Sequence, residues 1–256
     1  MTVLEFYEEL DRRIPRSLSC EWDRDGLMCC PDADRQVKKV MIALDATKDV
    51  IARAASGGFD VILTHHPVFF NGLHEVVCTD PVAKRAVDAV RAGISIMCFH
   101  TRLDALEGGV NDRLAAALGL FDTTPFGREG PVPMGRIGTL PRELTLEAFA
   151  EHVKEKLHAP AVYVTNTDLY VRRVAVLGGE GKDEIGAAVE EGADTFVSGR
   201  FGYHAMTDLA YGDINLIEAG HFWTEQPVCY ALADFAKEIL PGVTAEIVNS
   251  NIINVI

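Results

Sequence analysis

Two adjacent histidines at the end of a short apolar run are the residues of this sequence best suited to chemistry. They lie in the segment Thr64-His65-His66-Pro67. Two further histidines, His100 and His221, also follow apolar runs, and each is followed four residues later by a carboxylate. These carboxylates are Asp104 and Glu225. Imidazole and carboxylate groups that recur at one kind of structural position indicate a metal site.

The mixture of ligand types narrows the choice of metal. Imidazole and carboxylate together suit zinc, iron(II), manganese, cobalt or nickel, and argue against magnesium or calcium alone. A bridging carboxylate could hold two such ions about 3.5 to 4 Å apart, the spacing found in two-metal hydrolytic sites. The residues therefore predict a site for divalent transition metals, with metal-assisted hydrolysis as the reaction class.

The residues that follow each histidine–carboxylate pair predict that the pair itself lies in a loop rather than in a helix. Proline is favoured at the first position of a helix, so Gln226-Pro227 places Glu225 just before a helix begins. Gly108-Gly109 interrupts the chain after Asp104 in a comparable way. On this interpretation neither pair is a helical metal-binding pair of the metalloprotease kind, and each is a loop that brings an imidazole and a carboxylate around one point.

The remaining histidines have more ordinary interpretations. A single histidine is more often a hydrogen-bonded loop residue than a ligand, and we interpret His74, His152 and His158 in that way. His204 could contact a substrate, or it could equally be a hydrogen-bonded loop residue. The glycine-rich turn at residues 178–181 could hold a phosphate, although such a turn is more often only a tight connection.

Short β-branched runs alternate with longer helical patterns along the first half of the chain. Strands are predicted at residues 37–44, 61–64 and 94–99, and helices at residues 47–56 and 80–92. This alternation is typical of βαβ units around a mainly parallel sheet, so we predict an α/β fold. In such folds functional residues gather at the carboxyl ends of strands, where the histidines described above fall.

Two further helices are predicted from apolar spacing and glycine. Residues 2–13 form an amphipathic pattern with Leu4, Tyr7 and Leu10 on one face. Residues 111–118 form another helix, which Gly119 ends.

The two halves of the chain share a pattern that predicts an internal duplication. Val37-Lys38-Lys39-Val40 matches Val171-Arg172-Arg173-Val174, and the same offset aligns Asp60 with Asp194. A second correspondence places His100 over His221 and Asp104 over Glu225. Other pairs that match at the first offset are Lys48-Asp49 with Lys182-Asp183, Ile51 with Ile185, Ala54 with Ala188, and Gly58 with Gly192.

A stretch rich in glycine and proline at residues 123–133 separates these halves and is predicted to be a linker. We therefore predict two similar α/β domains, at residues 1–125 and 126–256, and allow the C-terminal strand to pack back on the first domain. The first would carry His65, His66, His100 and Asp104, and the second His204, His221 and Glu225.

Composition limits the possible partners. The 256 residues are 48% hydrophobic, enough for two domain cores, and carry a formal charge of −14, which disfavours nucleic-acid binding. No apolar run approaches the roughly 20 residues needed to cross a bilayer, and the first residues lack a signal-peptide pattern. We expect no membrane association and a cytoplasmic location.

The six cysteines lack Cys-x-x-Cys spacing and are interpreted as reduced, packed thiols. Cys29-Cys30 is the exception that could bind a soft metal, although no second cysteine pair supports that role.

Several of these segments, in this order, make the chain resemble the Nif-three-like family of dinuclear-metal proteins, whose members are often labelled type-two GTP cyclohydrolase one. The resemblance covers nearly the whole chain. It rests on Glu21-Trp22-Asp23-Arg24-Asp25-Gly26-Leu27, Thr64-His65-His66-Pro67, His100-Thr101-Arg102-Leu103-Asp104, Gly109-Val110-Asn111-Asp112, Gly199-Arg200-Phe201-Gly202-Tyr203-His204 and Ala219-Gly220-His221-Phe222-Trp223-Thr224-Glu225.

The resemblance implies two similar α/β domains with two divalent metal ions between them, and ring-shaped hexamers built from dimers. It also implies a role for His100 and His204 near the metals, which we interpret as catalytic or as part of the substrate site. Carried over by position, the implied metal ligands are His65, His66, Asp104, His221 and Glu225, with Asp104 or Glu225 bridging.

Three arginines depart from the family pattern. Arg24 stands where asparagine is usual, Arg102 replaces asparagine beside Asp104, and Arg200 replaces aspartate after Gly199. Arg102 and Arg200 would place positive charge near the site. There they could bind a phosphate-bearing substrate, or they could form salt bridges within this acidic protein.

Two functions from different classes fit these observations. The first is a dinuclear-metal hydrolase acting on a nucleotide or another phosphorylated small molecule, with Arg102 and Arg200 contacting phosphate. Opening of the GTP purine ring is the activity in the family label. The second is a metal-binding scaffold or regulatory module that forms a ring-shaped oligomer without catalysis. Five protein ligands for two metals leave coordination positions open, which favours catalysis.

Overall fold

The computed structural model describes residues 1–165, 168–208 and 214–256. These residues form two units, each with its own sheet. Unit 1 comprises Met1–Leu103 and Val228–Ile252, and unit 2 comprises Asp104–Pro227 and Ile253–Ile256. Within the described residues, no helix combines the length and apolar character needed to cross a membrane.

The strands and helices are numbered here in chain order. The strands are β1 (Gly26–Cys29), β2 (Lys39–Ala43), β3 (Val61–Thr64), β4 (Ser95–Cys98), β5 (Phe121–Phe126), β6 (Gly135–Leu144), β7 (Tyr163–Val164), β8 (Val171–Glu180), β9 (Thr195–Arg200), β10 (Asn215–Glu218) and β11 (Thr244–Ile247). The helices are α1 (Val3–Arg13), α2 (Lys48–Gly57), α3 (Pro81–Arg91), α4 (Thr101–Ala105), α5 (Val110–Ala117), α6 (Leu146–Leu157), α7 (Ile185–Glu190), α8 (Tyr203–Asp208), α9 (His221–Glu225) and α10 (Val228–Ile239).

The sheet of unit 1 has the order β1-β4-β3-β2-β11. Strands β4, β3, β2 and β11 are parallel, and β1 joins the edge in the antiparallel sense. Every residue of β3 and β4 is buried, as expected for strands covered by helices on both faces. The predicted α/β class is therefore confirmed, and so are the strands and helices predicted between residues 37 and 99.

The sheet of unit 2 has the order β5-β6-β8-β9-β10-β7. Strands β8, β9 and β10 are parallel, and the others pair in the antiparallel sense. Alternate residues of β8 enter different hydrophobic clusters, Val174 and Val176 in one, Ala175 and Leu177 in the other. The predicted linker is wrong at its start, because residues 123–126 pair with β6 as part of β5.

Helix α1 is present as predicted, but its buried face is rotated by one residue. The structure buries Val3, Phe6 and Leu10, whereas Leu4 is 43% exposed. Turning this face inward buries the large Phe6 ring, and the hydrogen bond from Val3 N to Arg35 O orients the start of the helix. A capping box formed by Thr2 closes the first turn.

The register of unit 1 places its chemical side chains at one edge of the sheet. Thr64, the last residue of β3, lies opposite Ala43 of β2 and Cys98 of β4. The chain leaves these three strands side by side, so the residues that follow each strand are neighbours.

Candidate metal centre

His65 follows β3 and is completely buried. Its Nδ1 lies 3.0 Å from the carbonyl oxygen of Phe99. A carbonyl oxygen can only accept a hydrogen bond, so Nδ1 carries the proton and the neutral ring has its lone pair on Nε2. Nε2 is therefore the atom through which His65 can bind a metal ion.

His66 is held in the same way, but by a carboxylate. Its Nδ1 lies 2.8 Å from Oδ1 of Asp45, a residue that follows β2. Its backbone N donates to Leu44 O, and its carbonyl accepts from Thr64 Oγ1. A carboxylate on the distal nitrogen fixes the ring orientation and raises the basicity of Nε2, as in many metal-binding histidines.

His100 follows β4 and is held by two aspartates from the loop before β1. Its Nδ1 lies 3.2 Å from Asp23 Oδ2, and its backbone N donates to Asp25 Oδ2 over 2.9 Å. Burial alone would raise the pKa of Asp23, but hydrogen bonds from His100 and Thr101 outweigh it and hold the pKa well below its usual range. Asp23 is therefore a permanent negative charge facing the His100 ring.

The three histidines form one cluster within unit 1. One possible ligand atom from each of His65, His66 and His100 lies within 4.8 Å of the others. The ring centroids are 5.0 Å apart for the adjacent pair, and His100 lies 5.3 and 5.8 Å from His65 and His66. Three imidazoles with oriented Nδ1 atoms fit a divalent transition metal ion. The structure thus places a possible ligand atom of His100, predicted as catalytic, within 4.8 Å of those of the two predicted ligands.

Two aromatic side chains lie beside this cluster and were not singled out from the sequence. The Trp22 ring centroid is 6.0 Å from that of His100, and the Phe70 centroid is 6.3 Å from it. Trp22 is 58% exposed and Phe70 is 63% exposed. The available signal was the position of Trp22 among the acidic residues Glu21, Asp23 and Asp25, in a segment that carries the family resemblance.

His221 and Glu225 form a helical pair in unit 2, so the predicted loop is wrong. They are the first and last residues of α9, and His221 Nε2 lies 3.0 Å from Glu225 Oε2. Pro227 does precede a helix, α10, but a separate single turn of helix ends just before it. The carboxylate of Glu225 is buried, whereas about half of the His221 side chain is exposed.

Two glycines at the end of β8 leave room for Glu225. A Cβ atom at Gly179 would lie 2.5 Å from Glu225 Oε1, and one at Gly178 would lie 3.0 Å from Glu225 Cγ. The backbone N of Gly179 donates to Thr224 Oγ1, and that of Gly178 donates to Asn111 Oδ1. Because these N–H groups have partners within the protein, the structure favours a tight connection here over a phosphate-binding turn.

Asp104 also lies in a helix rather than the predicted loop. Helix α4 spans Thr101–Ala105, and the chain turns only afterwards, at Gly108-Gly109. The side chain is half-buried, and the backbone carbonyl accepts a hydrogen bond of 3.2 Å from Asn111 Nδ2. Both histidine–carboxylate segments therefore contain a single helical turn.

Arg102 is completely buried and points into unit 1. Its Nε donates to Asp25 over 2.8 Å, and its Nη1 donates to Asp11 over 2.6 Å and to the carbonyl of Ile14. This placement favours the salt-bridge alternative over the predicted substrate contact. The third departing arginine, Arg24, donates to the backbone carbonyls of Glu21 and Asp23.

Arg200 and His204 line the same cavity in unit 2. Its volume is about 340 Å³, and its other lining residues include Glu180, Lys182 and Tyr203. Arg200 is mostly exposed and lies 3.8 Å from Glu180, too far for a strong hydrogen bond. The structure thus brings together the predicted substrate-binding arginine and the predicted catalytic histidine, and adds a lysine.

Cys29 and Cys30 lie at the end of unit 1's antiparallel edge strand and are partly buried. Burial and the neighbouring Cys30 raise the pKa of the Cys29 thiol. A raised pKa disfavours the thiolate that binds metals, so the pair fits a structural role.

The protein has an α/β fold with parallel strands in two sheets, and three clustered histidines whose Nδ1 atoms lie near oxygen acceptors. These features define the class of candidate transition-metal proteins. Within that class, the sequence pattern of one family, Duf34/NIF3 (NGG1p interacting factor 3), matches residues 1–254. The chain belongs to this family.

Individual relatives agree with the family assignment. A protein from Clostridium perfringens named GTP cyclohydrolase 1 type 2 homolog is 29% identical over 232 residues, 88% of this chain and 87% of that protein. A Bacillus cereus protein related to NIF3 shares the fold, with a TM-score of 0.91, 24% identity and coverage of 100% of this chain and 99% of the other. Reduced HcgD from Methanocaldococcus jannaschii has a TM-score of 0.83 and 26% identity, with 96% and 97% coverage.

Proposed function

We propose that this protein is a dinuclear-metal-dependent hydrolase that acts on a nucleotide or another phosphorylated small molecule. The observation that carries the proposal is the cluster of His65, His66 and His100, whose Nδ1 atoms each lie within 3.2 Å of an oxygen atom that can accept a hydrogen bond. Such orientation is characteristic of metal-binding histidines. Relatives named GTP cyclohydrolase 1 type 2 homolog make opening of the GTP ring one activity to test.

Two divalent transition metal ions, zinc, iron, manganese, cobalt or nickel, would be held by the five residues that the family resemblance implies. The donor set fits them, because it combines neutral imidazoles with carboxylates. Unit 1 would supply the adjacent pair His65 and His66, of which His66 is oriented by Asp45. Unit 2 would supply the helical pair His221 and Glu225. The proposed ligands are His65, His66, Asp104, His221 and Glu225.

The protein side chains would divide the remaining work. Bound ions would supply Lewis-acid activation of water and of the substrate. Asp23 lies 3.2 Å from Nδ1 of His100, so His100 would exchange protons with the substrate through its other ring nitrogen, Nε2. Arg200 and Lys182 are two cationic side chains in the 340 Å³ cavity, whose lining also includes Glu180, and they would contact phosphate there. His204 in the same lining would be a second proton donor.

The family resemblance also suggests how the protein is assembled. We propose a homohexamer in the cytoplasm, since ring-shaped hexamers are typical of the family that the chain resembles. Light scattering of the purified protein measures the subunit number directly.

The first experiment measures bound metal by elemental mass spectrometry on protein purified without chelator or nickel affinity resin. We expect about two transition-metal ions per chain. His65→Ala and Glu225→Ala should each lose metal. His74→Ala is the matched control, because His74 is exposed and outside the proposed ligand set, and it should keep the wild-type content.

A second experiment separates catalysis from a scaffold role. Protein loaded with manganese, zinc or iron is tested on GTP, other nucleotides and phosphoesters, with Arg200→Gln as the variant of the proposed phosphate contact. Turnover that falls in this variant supports the hydrolase. If metal binds but no substrate reacts, and Glu225→Ala alters only stability, the scaffold alternative replaces it.

A further inference from the structure

Asn111 is a buried polar residue in unit 2 that the proposed chemistry does not use. It lies in the first turn of α5 and is completely buried. Its Nδ2 donates to the carbonyl of Asp104 over 3.2 Å, and its Oδ1 accepts from the backbone N of Gly178 over 2.8 Å. The side chain therefore joins two backbone segments that are far apart in sequence.

The chemistry of these partners requires an amide. Gly178 N–H can only donate and the Asp104 carbonyl can only accept, so the orientation of the amide is determined by its partners. An ionised carboxylate at this position could not donate, and an aliphatic side chain could do neither. Removing the amide would leave a buried donor and a buried acceptor without these partners, which is costly in an apolar environment.

One of the joined segments carries a proposed metal ligand, and the other lies beside a second one. On one side is α4, the single helical turn that carries the Asp104 carboxylate. On the other side is the end of β8, where a Cβ atom at Gly178 or Gly179 would crowd the Glu225 side chain and where Gly179 N donates to Thr224 Oγ1. Asn111 is thus the described side chain that hydrogen-bonds to both the Asp104 backbone and the strand end against which Glu225 packs.

The first turn of α5 is itself held firmly. The next residue, Asp112, binds Arg136 of β6 through two hydrogen bonds of 2.6 and 3.0 Å. Asp112 also accepts from the backbone N of Gly108, which closes the turn after α4. The amide of Asn111 therefore starts from a rigid base, so it can set the distance between its two partners.

We propose that Asn111 is a positioning residue that sets the Asp104 carboxylate relative to Glu225 and so determines the affinity for metal. This inference rests on the proposed metal site and adds a residue outside the ligand set. It predicts that loss of the amide weakens metal binding beyond any loss of stability.

The test compares two buried asparagines. Asn215 is also completely buried in unit 2, and its Nδ2 also donates to a backbone carbonyl over 3.2 Å, that of Leu169, but it holds no proposed ligand. Asn111→Leu and Asn215→Leu should both lower the melting temperature. Zinc and manganese affinities, measured by competition with a chromophoric chelator, should fall about 10- to 100-fold in Asn111→Leu. They should stay within about twofold of wild type in Asn215→Leu.

A double-mutant cycle adds a measurement that a merely structural role would not change. If Asn111 acts through the carboxylates, Asn111→Leu should cost clearly less metal affinity in a Glu225→Gln background than in wild type. Additive losses, or wild-type affinity in Asn111→Leu, would overturn the inference. If Asn111→Leu does not fold, Asn111→Ser is judged by the same affinities. Wild-type protein that binds no metal would instead overturn the proposed function, and this inference with it.

Discussion

The segment β2-α2-β3 of unit 1 and the segment β8-α7-β9 of unit 2 are built alike at one end and differently at the other. At the start of β3, Asp60 Oδ2 accepts hydrogen bonds from the backbone N atoms of Lys38 and Lys39, over 2.8 and 3.0 Å. At the start of β9, Asp194 Oδ2 accepts from the two residues aligned with them, over 2.9 and 2.7 Å. This shared detail supports the predicted duplication, which stays a prediction.

The opposite ends of these strands differ. At the same sequence offset, His65 corresponds to Gly199 and His66 to Arg200. A Cβ atom at Gly199 would lie 2.6 Å from Gly179 O and 2.7 Å from the Cα atom of His221, because α9 packs directly on this position. After β3, the side chains of His65 and His66 are themselves proposed ligands. At the corresponding position in β9, glycine has no side chain, and this lets the helix that carries His221 and Glu225 approach.

The largest effect should come from adding a side chain to the close-packed strand end. Gly199→Ala forces its new methyl group against backbone atoms that cannot move independently, so we expect the free energy of unfolding to fall by about 3 kcal/mol. Urea denaturation followed by circular dichroism measures the change.

Gly186→Ala is the matched control, since a Cβ atom at this exposed helical position would meet nothing within 4 Å. It should stabilise the protein by about 0.5 kcal/mol. An equal, small effect of both substitutions would remove the proposed difference between the strand ends.

The second largest effect should separate the histidines of the two units. His66 is largely buried and its Nδ1 lies 2.8 Å from Asp45, whereas His221 is half-exposed and its Nε2 lies 3.0 Å from the Glu225 carboxylate. We expect His66→Ala to lower metal affinity more than about 100-fold and His221→Ala about 10-fold, since a pre-oriented ligand contributes more. Isothermal titration with zinc measures both, and the reverse order would contradict this view of unit 1.

A smaller effect should follow from the residue behind His66. Asp45→Asn keeps an acceptor but removes the charge that polarises the imidazole, so metal affinity should fall about 10-fold. Asp49→Asn, an exposed change in the next helix, should leave it unchanged. Chelator competition measures the affinities of both variants. An unaltered affinity in Asp45→Asn would mean that the negative charge beside Nδ1 does not affect metal binding here.

The smallest effect concerns the end at which the two segments are alike, where an aspartate precedes each strand. Burial alone would raise the pKa of Asp60, but the N–H donors of Lys38 and Lys39 and the guanidinium of Arg35 outweigh it, so the pKa lies below its usual value. A carboxylate with a lowered pKa in the folded state stabilises the protein above its unfolded pKa, and this stability is lost as pH falls through the folded value.

We therefore expect the wild type to lose stability as pH falls below about 4, and Asp60→Asn to show a shallower loss. Urea denaturation at a series of pH values from neutral to 3 measures the two slopes. Asp34→Asn, at an exposed site in the preceding loop, should follow the wild-type slope. If Asp60→Asn lost stability with the full wild-type slope, the pH dependence would not come from the lowered pKa of Asp60.

The sequence predicted the elements that depend on interactions between residues close together in the chain better than the features that depend on distant residues. The elements from residue 37 to residue 99 follow from local patterns of apolar residues, caps and glycines, and they were predicted correctly. The single turns α4 and α9 were missed, because five residues show too little periodicity to distinguish a helix from a loop. Pro227 correctly predicted the start of the next helix, α10, but it gave no signal of α9 before it.

The partners of the candidate ligands could not be predicted from local sequence. Asp45 reaches His66 only because β2 and β3 are adjacent in the sheet, and Asp23 reaches His100 only because β1 pairs with β4. The burial of Arg102 likewise depends on Asp11 and Asp25, which come from other segments. Residue types indicated metal chemistry, whereas sheet topology determined the side chains that orient it.

The parallel strand β11 also bears on how the protein folds during synthesis. It pairs with β2 in register from Thr244 with Lys39 to Ile247 with Ile42, so the sheet of unit 1 needs residues made some two hundred positions later. Residues 104–227 of unit 2 leave the ribosome before that strand does and can reach their native contacts first. Until β11 arrives, the edge of β2 presents unpaired backbone groups, and this interval is when the nascent chain is most exposed to aggregation.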